Sequence, residues 1–208
     1  MIAIIDYNVG NLHNLKNALD YQGLPNRIVR EAHELAGADH IVLPGVGAFR
    51  PAMDQLRKAG MEAVVRERVA AGVPFLGVCV GLQLLFDESE EDGLHEGLGL
   101  LRGRIVRFKG ADAQGQRLKV PQIGWNQVAW QQADPLLEGI ADRSYFYFVH
   151  SFYAAVHDPA DALGLADYGE RFAAVVRHGN VWGVQFHPEK SQNAGLRLLK
   201  NFAALRPA

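Results

Sequence analysis

The chain has 208 residues, 49% of them hydrophobic, and a net charge of −2 from 21 Lys+Arg and 23 Asp+Glu. That suits a single α/β domain over residues 1–208 with a sizeable core, and it removes any bulk electrostatic case for nucleic acid. The single cysteine excludes an internal disulfide and fits a reducing compartment, so a cytoplasmic location is expected.

Met1-Ile2-Ala3-Ile4-Ile5-Asp6 has no basic leader and is cut short by Asp6. It reads as a first strand, not a signal peptide, and no membrane span is expected. Residues 6–10 form a loop, and Asn11 is placed to cap a helix with the apolar stripe Leu12, Leu15 and Leu19, stopped by Gly23. Residues 26–29 are a second strand, 32–36 a short helix, and 40–43 a third strand that ends at Pro44-Gly45-Val46-Gly47. Residues 52–58 and 61–71 read as helices, with Gly72 as terminator, and 75–78 as a fourth strand. This alternation predicts a mostly parallel central sheet flanked by helices, with ligands at the carboxyl ends of the strands. Residues 8–11, 45–47 and Cys79 then share one edge.

The stretch Pro74-Phe75-Leu76-Gly77-Val78-Cys79-Val80-Gly81-Leu82-Gln83-Leu84-Leu85-Phe86 begins as a buried strand and passes through Gly-x-Cys-x-Gly. It continues with helical spacing at Leu82, Leu85 and Phe86. Strand, sharp turn and helix in that order lift one side chain to the top of a sheet, as in a nucleophile elbow with cysteine replacing serine. Gly77 and Gly81 flank the turn, where a Cβ crowds it. Cys79 at a helix N-terminus is favoured as thiolate, and the Val80 N–H is placed to donate to an oxyanion. A lone cysteine is otherwise a small buried hydrophobe, so the catalytic reading needs a base elsewhere in the chain.

The acidic run 87–92 reads as a solvated surface loop, with no metal site expected. Beyond it, β-rich segments are expected at 104–108, 117–120, 127–130, 145–156, 172–177 and 181–186. Gly179-Asn180 suits a tight hairpin turn between the last two. The fold expected is therefore α/β with an antiparallel β-rich C-terminal half. A final helix over 192–205 is apolar at Leu196, Leu199, Phe202 and Ala203.

Among the eight histidines, His187 follows a strand and precedes Pro188-Glu189. In an extended segment residues two apart point the same way, so Glu189 stands beside His187 and can hold one ring nitrogen. Nucleophile, base and acidic orienter are the parts that acyl transfer needs. His150, inside an aromatic strand, is the other histidine to consider as base. Spacing does not show that Cys79 and His187 meet.

Gly77-Val78-Cys79-Val80-Gly81-Leu82-Gln83 together with His187-Pro188-Glu189 resembles the class I (triad) glutamine amidotransferases. Four further segments resemble, within that class, the glutaminase subunits of imidazole glycerol phosphate synthase. They are Asp6-Tyr7-Asn8-Val9-Gly10-Asn11-Leu12, Pro44-Gly45-Val46-Gly47-Ala48-Phe49, Ile123-Gly124-Trp125-Asn126 and Tyr147-Phe148-Val149-His150-Ser151-Phe152. The resemblance covers essentially the whole chain.

It implies that Cys79 attacks the side-chain amide of glutamine. His187 then protonates the departing ammonia and later activates water against the thioester, with Glu189 orienting it. The Val80 N–H and one from Gly45-Val46-Gly47 hold the oxyanion, and Gly45, Gly47, Val80, Gln83, Ser151 and Phe152 line the glutamine pocket. No cofactor or metal is implied. The motifs leave no room for an ammonia-using domain, so the implied partner is a (β/α)₈-barrel cyclase on a separate chain, in a heterodimer. Asn8, Asn11 and Trp125 are the contact candidates, although Asn11 can equally be a helix cap and Trp125 a core residue. Two alternatives stay open. One is a glutaminase serving another synthase (anthranilate, pyridoxal phosphate or a nucleotide). The other is an inactive glutaminase-like regulatory subunit.

Overall fold

The computed structural model describes residues 1–206. The first half alternates β1 (Ile2–Ile5), α1 (Leu12–Tyr21), β2 (Asn26–Val29), β3 (His40–Gly45), α2 (Phe49–Lys58), α3 (Met61–Ala70) and β4 (Phe75–Cys79). The strands lie in the order β2-β1-β3-β4, all parallel. β1, β3 and β4 are buried at every residue, which explains why they read as continuous apolar runs. Leu15 and Leu19 carry the buried face of α1.

A single helical turn, α4 (Val80–Gln83), leads into β5 (Phe86–Ser89), β6 (His95–Glu96), β7 (Leu101–Arg107), β8 (Gln122–Trp130) and β9 (Ser144–His150). Then come β10 (Phe152–Val156), β11 (Ala162–Asp167), β12 (Arg171–His178), β13 (Val181–Val184) and α5 (Gln192–Ala204). β13 returns parallel to β4, pairing Gly183 with Gly77 and Val184 with Val78. This one pairing brings the end of the chain to the elbow. From β13 the sheet continues antiparallel through β12, β10 and β7, while β11 links β12 to the antiparallel pair β8 and β9. The fold is thus α/β, with a mostly parallel core and antiparallel strands in the C-terminal half. Gly179 and Asn180 form the two-residue turn between β12 and β13, with His178 opposite Val181.

Several local expectations are corrected. The helix after Cys79 stops after one turn, because the Leu84 carbonyl accepts from Leu98 N–H and the Leu85 carbonyl from Leu100 and Leu101. Leu82, Leu84, Leu85 and Phe86 are all fully buried, so their spacing carried no helical face. The acidic run is not all solvated loop, since its first half belongs to β5. The strand expected at 117–120 is reduced to a single bridge between Ala111 and Arg117. The long strand expected over 145–156 breaks at Ser151, whose carbonyl accepts the Phe108 N–H. α2 begins at Phe49, with Pro51 in its first turn, where the missing N–H costs nothing. Among the described residues no helix is long and apolar enough to cross a membrane.

Candidate active site

Cys79 ends β4 with φ 56° and ψ −113°, a conformation that β and α residues avoid. Such strain costs about 1–3 kcal/mol and is held only where surroundings dictate it. Here they do. A Cβ on Gly81 lies 1.8 Å from the Leu43 carbonyl oxygen, and one on Gly77 lies 2.6 Å from the Gly81 oxygen. Only glycine lets the elbow close against β3. The register of β3 on β4 sets Gly45 opposite Cys79, so residues 45–47 run alongside that cysteine. Gly47 has φ +88°.

A cavity of about 370 Å³ opens over the sulfur. Asn11, Val46, Gly47, Cys79, Val80, Gln83, Glu91, Pro121, Val149, His150, Ser151, Phe152, His187 and Lys190 line it. They come from the carboxyl ends of the parallel strands and from the antiparallel half.

His187 leaves the end of β13 and is pinned from several sides. Its N–H donates to the Tyr147 carbonyl at 2.9 Å, and its own carbonyl accepts from Ser191 Oγ at 2.6 Å. Phe186 stacks on Phe146 with centroids 4.0 Å apart. Nδ1 of His187 lies 2.9 Å from Glu189 Oε1, and both side chains are buried. The expected reason for that contact needs correcting. Residues 188–190 form a 3₁₀ turn, not an extended segment, and the turn swings the carboxylate back to the ring. Burial pushes the His187 pKa down. The Cys79 sulfur and the Glu189 carboxylate push it up and prevail, raising it to about 10. The ring is therefore an imidazolium at neutral pH, able to give a proton at once to a leaving group.

His150 is the opposite case. Burial lowers its pKa to about 4, against the pull of the Phe152 carbonyl and with His187 adding to the drop. Its Nδ1–H donates to the Phe152 oxygen at 2.8 Å, so the Nε2 of the neutral ring, 3.1 Å from the Gln122 side-chain amide, is the acceptor for that amide's NH₂. Both nitrogens are engaged, so this ring has none free for base catalysis.

A model of the class I glutamine amidotransferase family matches residues 3–205. The chain belongs to the class I glutamine amidotransferases. It is 49% identical to the imidazole glycerol phosphate synthase subunit HisH of Syntrophotalea carbinolica, over 97% of this chain and 98% of that one. The proteins of the same name from Geobacillus sp. (strain WCH70) and Salinibacter ruber are 47% and 46% identical, over 99% of this chain and 97% and 94% of theirs. Among solved structures, a glutamine amidotransferase superposes with TM-score 0.74 at 23% identity, covering 99% of this chain and 100% of that one. PurLQS from Thermotoga maritima gives 0.74 at 16%, covering 98% and 97%. These last two are likenesses of fold.

In this amidotransferase Cys79, Val80, Gly47, Gln83, Ser151, Phe152 and His187 share the cavity wall. Glu189 stands behind His187, and Gly45 beneath the floor, where a Cβ lies 2.7 Å from Gly81 N. Asn11 occupies the cap position of α1 but makes no capping bond, and it lines the cavity instead. Asn8 is exposed and outside the wall. Trp125 is not core; it is 45% exposed and meets Tyr147 edge-on with centroids 5.9 Å apart.

Four residues at the site escaped the sequence reading. Glu91 points from the acidic run into the cavity and accepts the Phe49 N–H at 2.7 Å. Burial raises its pKa, against that hydrogen bond. Lys190, next to Glu189, lines the rim, and its position after the His-Pro-Glu segment was the one available signal. Tyr7 is fully buried and donates to the Pro44 carbonyl at 2.8 Å. Burial, with Cys79 adding to it, holds the Tyr7 phenol far above its usual range. Gln185, fully buried, reaches the sulfur itself with Nε2 3.9 Å from Cys79 Sγ. Gln185 and Tyr7 look like ordinary strand and loop residues in sequence.

Proposed function

We propose that this chain is the glutaminase subunit of an imidazole glycerol phosphate synthase, and that it hands ammonia to a (β/α)₈-barrel cyclase on a separate chain. The observation that carries the reading is the elbow cysteine sharing a cavity with His187, whose far nitrogen is held by Glu189, in a chain 49% identical to a subunit of that synthase. Cys79 attacks the glutamine side-chain carbonyl, and the oxyanion forms against the Val80 N–H and one N–H of residues 45–47. Removing one such donor typically costs about 10²–10³-fold in rate. His187 gives its proton to the departing amide nitrogen, which leaves as ammonia. The neutral ring then takes a proton from water, hydroxide adds to the thioester, and thiolate and glutamate separate. Glu189 keeps the ring in the required orientation throughout.

The substrate's α-ammonium needs an anion, and Glu91 is the carboxylate on the cavity wall that can meet it. Gln83, Ser151 and Phe152 complete the pocket, the last two largely through main-chain groups. The docking face is the rim of this cavity. Exposed Val46 lies on its wall, and Asn11 and the exposed Asn8 and Trp125 are the further contacts. The location that suits a free active-site thiol is the reducing cytoplasm.

The test is a synthase assay with the candidate cyclase. Cys79→Ala should abolish glutamine-dependent turnover while ammonia-dependent turnover survives, because the change is small and local. Stimulation by a different synthase, and none by the cyclase, overturns the assignment.

A further inference from the structure

We propose that Gln185 is the hydrogen-bond donor that stabilises the Cys79 thiolate, with its amide polarity dictated by the backbone carbonyl of Phe152. The proposal rests on the nucleophile role given to Cys79 above. Gln185 follows β13, and its N–H donates to the Ala174 carbonyl at 2.9 Å, so its backbone is fixed. A buried glutamine can in principle present either end of its amide to a neighbour.

Here the choice is forced. The Phe152 carbonyl can only accept, so Gln83 must turn its NH₂ toward it, at 3.1 Å. The second hydrogen of that NH₂ reaches Gln185 Oε1 at 3.3 Å. Gln185 must then turn its own NH₂ to the sulfur, 3.9 Å away. Orientation passes along two side chains from a main-chain group that cannot rotate.

The consequence is selective for one protonation state. The thiol can donate to the Val149 carbonyl, 3.9 Å from Sγ. On ionisation that carbonyl loses its proton partner and faces a negative sulfur. The Gln185 N–H then becomes a charge-assisted bond and offsets the repulsion. The same donor receives the sulfur's charge again when water cleaves the thioester. The titratable groups that face the sulfur are His187 and Tyr7, with His150, Glu91 and Lys190 elsewhere on the cavity wall. None of them changes in the variants below.

The test is the pH dependence of Cys79 alkylation by iodoacetamide in the full chain, followed by mass spectrometry on the single cysteine. Gln185→Met keeps the volume and removes the donor. Hydrogen bonds to charged groups are worth about 1.5–3 kcal/mol, and the low end suits this long contact. The variant's profile should have its midpoint about one pH unit higher, with alkylation about tenfold slower at every pH below the wild-type midpoint and the high-pH plateau unchanged. A folded Gln185→Met with an unshifted profile overturns the proposal. If that variant fails to fold, Gln83→Met keeps Gln185 but frees its amide to rotate. It should move the midpoint upward by a smaller amount, and no movement there equally overturns the proposal. Alkylation needs neither glutamine nor partner, so a failure here leaves the glutaminase reading standing.

Discussion

His150 and His187 begin with the same ring and end with opposite shifts. Both rings are buried, and the difference is what each meets there: only a neutral side-chain amide and one carbonyl oxygen for His150, a carboxylate and a sulfur for His187. Each sets its own pH window. His150 titrates near 4 folded and near 6.5 unfolded, so between those values the unfolded chain binds a proton that the folded chain refuses. Its contribution is complete above pH 6.5 and falls as pH drops, by about 2 kcal/mol between pH 7 and pH 5. His187 has the reverse sign: its contribution is full below 6.5 and is lost as pH rises toward about 10. Urea unfolding at pH 7 and pH 5 checks the first statement, since His150→Gln should remove most of the acid-side loss. An equal loss in the variant refutes it. At this scale Cys79, His187 and Glu189 stood out as candidates, because each sits in a short local motif, and the fold brings the three together. Glu91, Tyr7 and Gln185 were not, because their roles come from neighbours distant in sequence.

At the scale of elements, the parallel half was legible for a physical reason. β1, β3 and β4 are covered on both faces, so burial writes itself into the sequence as unbroken apolar runs. β11 was missed because Ala162-Leu163-Gly164-Leu165-Ala166-Asp167 contains no β-branched or aromatic residue. The elbow turn was foreseen and the helix after it was overextended, because the carbonyl partners that end α4 come from residues 98–101. The elbow also yields a sharp stability prediction. In Gly81→Ala the new methyl meets the Leu43 carbonyl at 1.8 Å, a backbone atom in the middle of the sheet. Overpacking typically costs 1–3 kcal/mol, and a clash with backbone belongs at or beyond the top of that range, so about 3 kcal/mol or more is expected. The urea midpoint at neutral pH measures it, and a loss below about 1 kcal/mol would mean that β3 and β4 separate more easily than their pairing suggests.

For the molecule as a whole, the decisive feature is how residues 44–49 are held. The Pro44 carbonyl is anchored by the Tyr7 hydroxyl at 2.8 Å, and the Phe49 N–H by Glu91 at 2.7 Å. Between the anchors Val46 and Gly47 are exposed, and Gly47 sits at φ +88°, where glycine moves between backbone states at low cost. Fixed ends and a free middle suit a peptide unit that turns an N–H toward or away from the Cys79 site. One donor gained or lost is worth about 10²–10³-fold, so this short segment can govern the rate. A partner seated on the exposed rim can bias the two states, provided its contacts differ between them. The isolated chain should therefore release glutamate very slowly, and strong stimulation should need the cyclase and its bound nucleotide together. Tyr7→Phe removes one anchor without altering the cavity wall, so it should narrow the ratio of stimulated to basal turnover. Glutamate release measured for chain alone, chain with cyclase, and chain with cyclase and nucleotide decides the matter. Equal turnover in all three refutes the switch, and an unchanged ratio in Tyr7→Phe refutes the anchor.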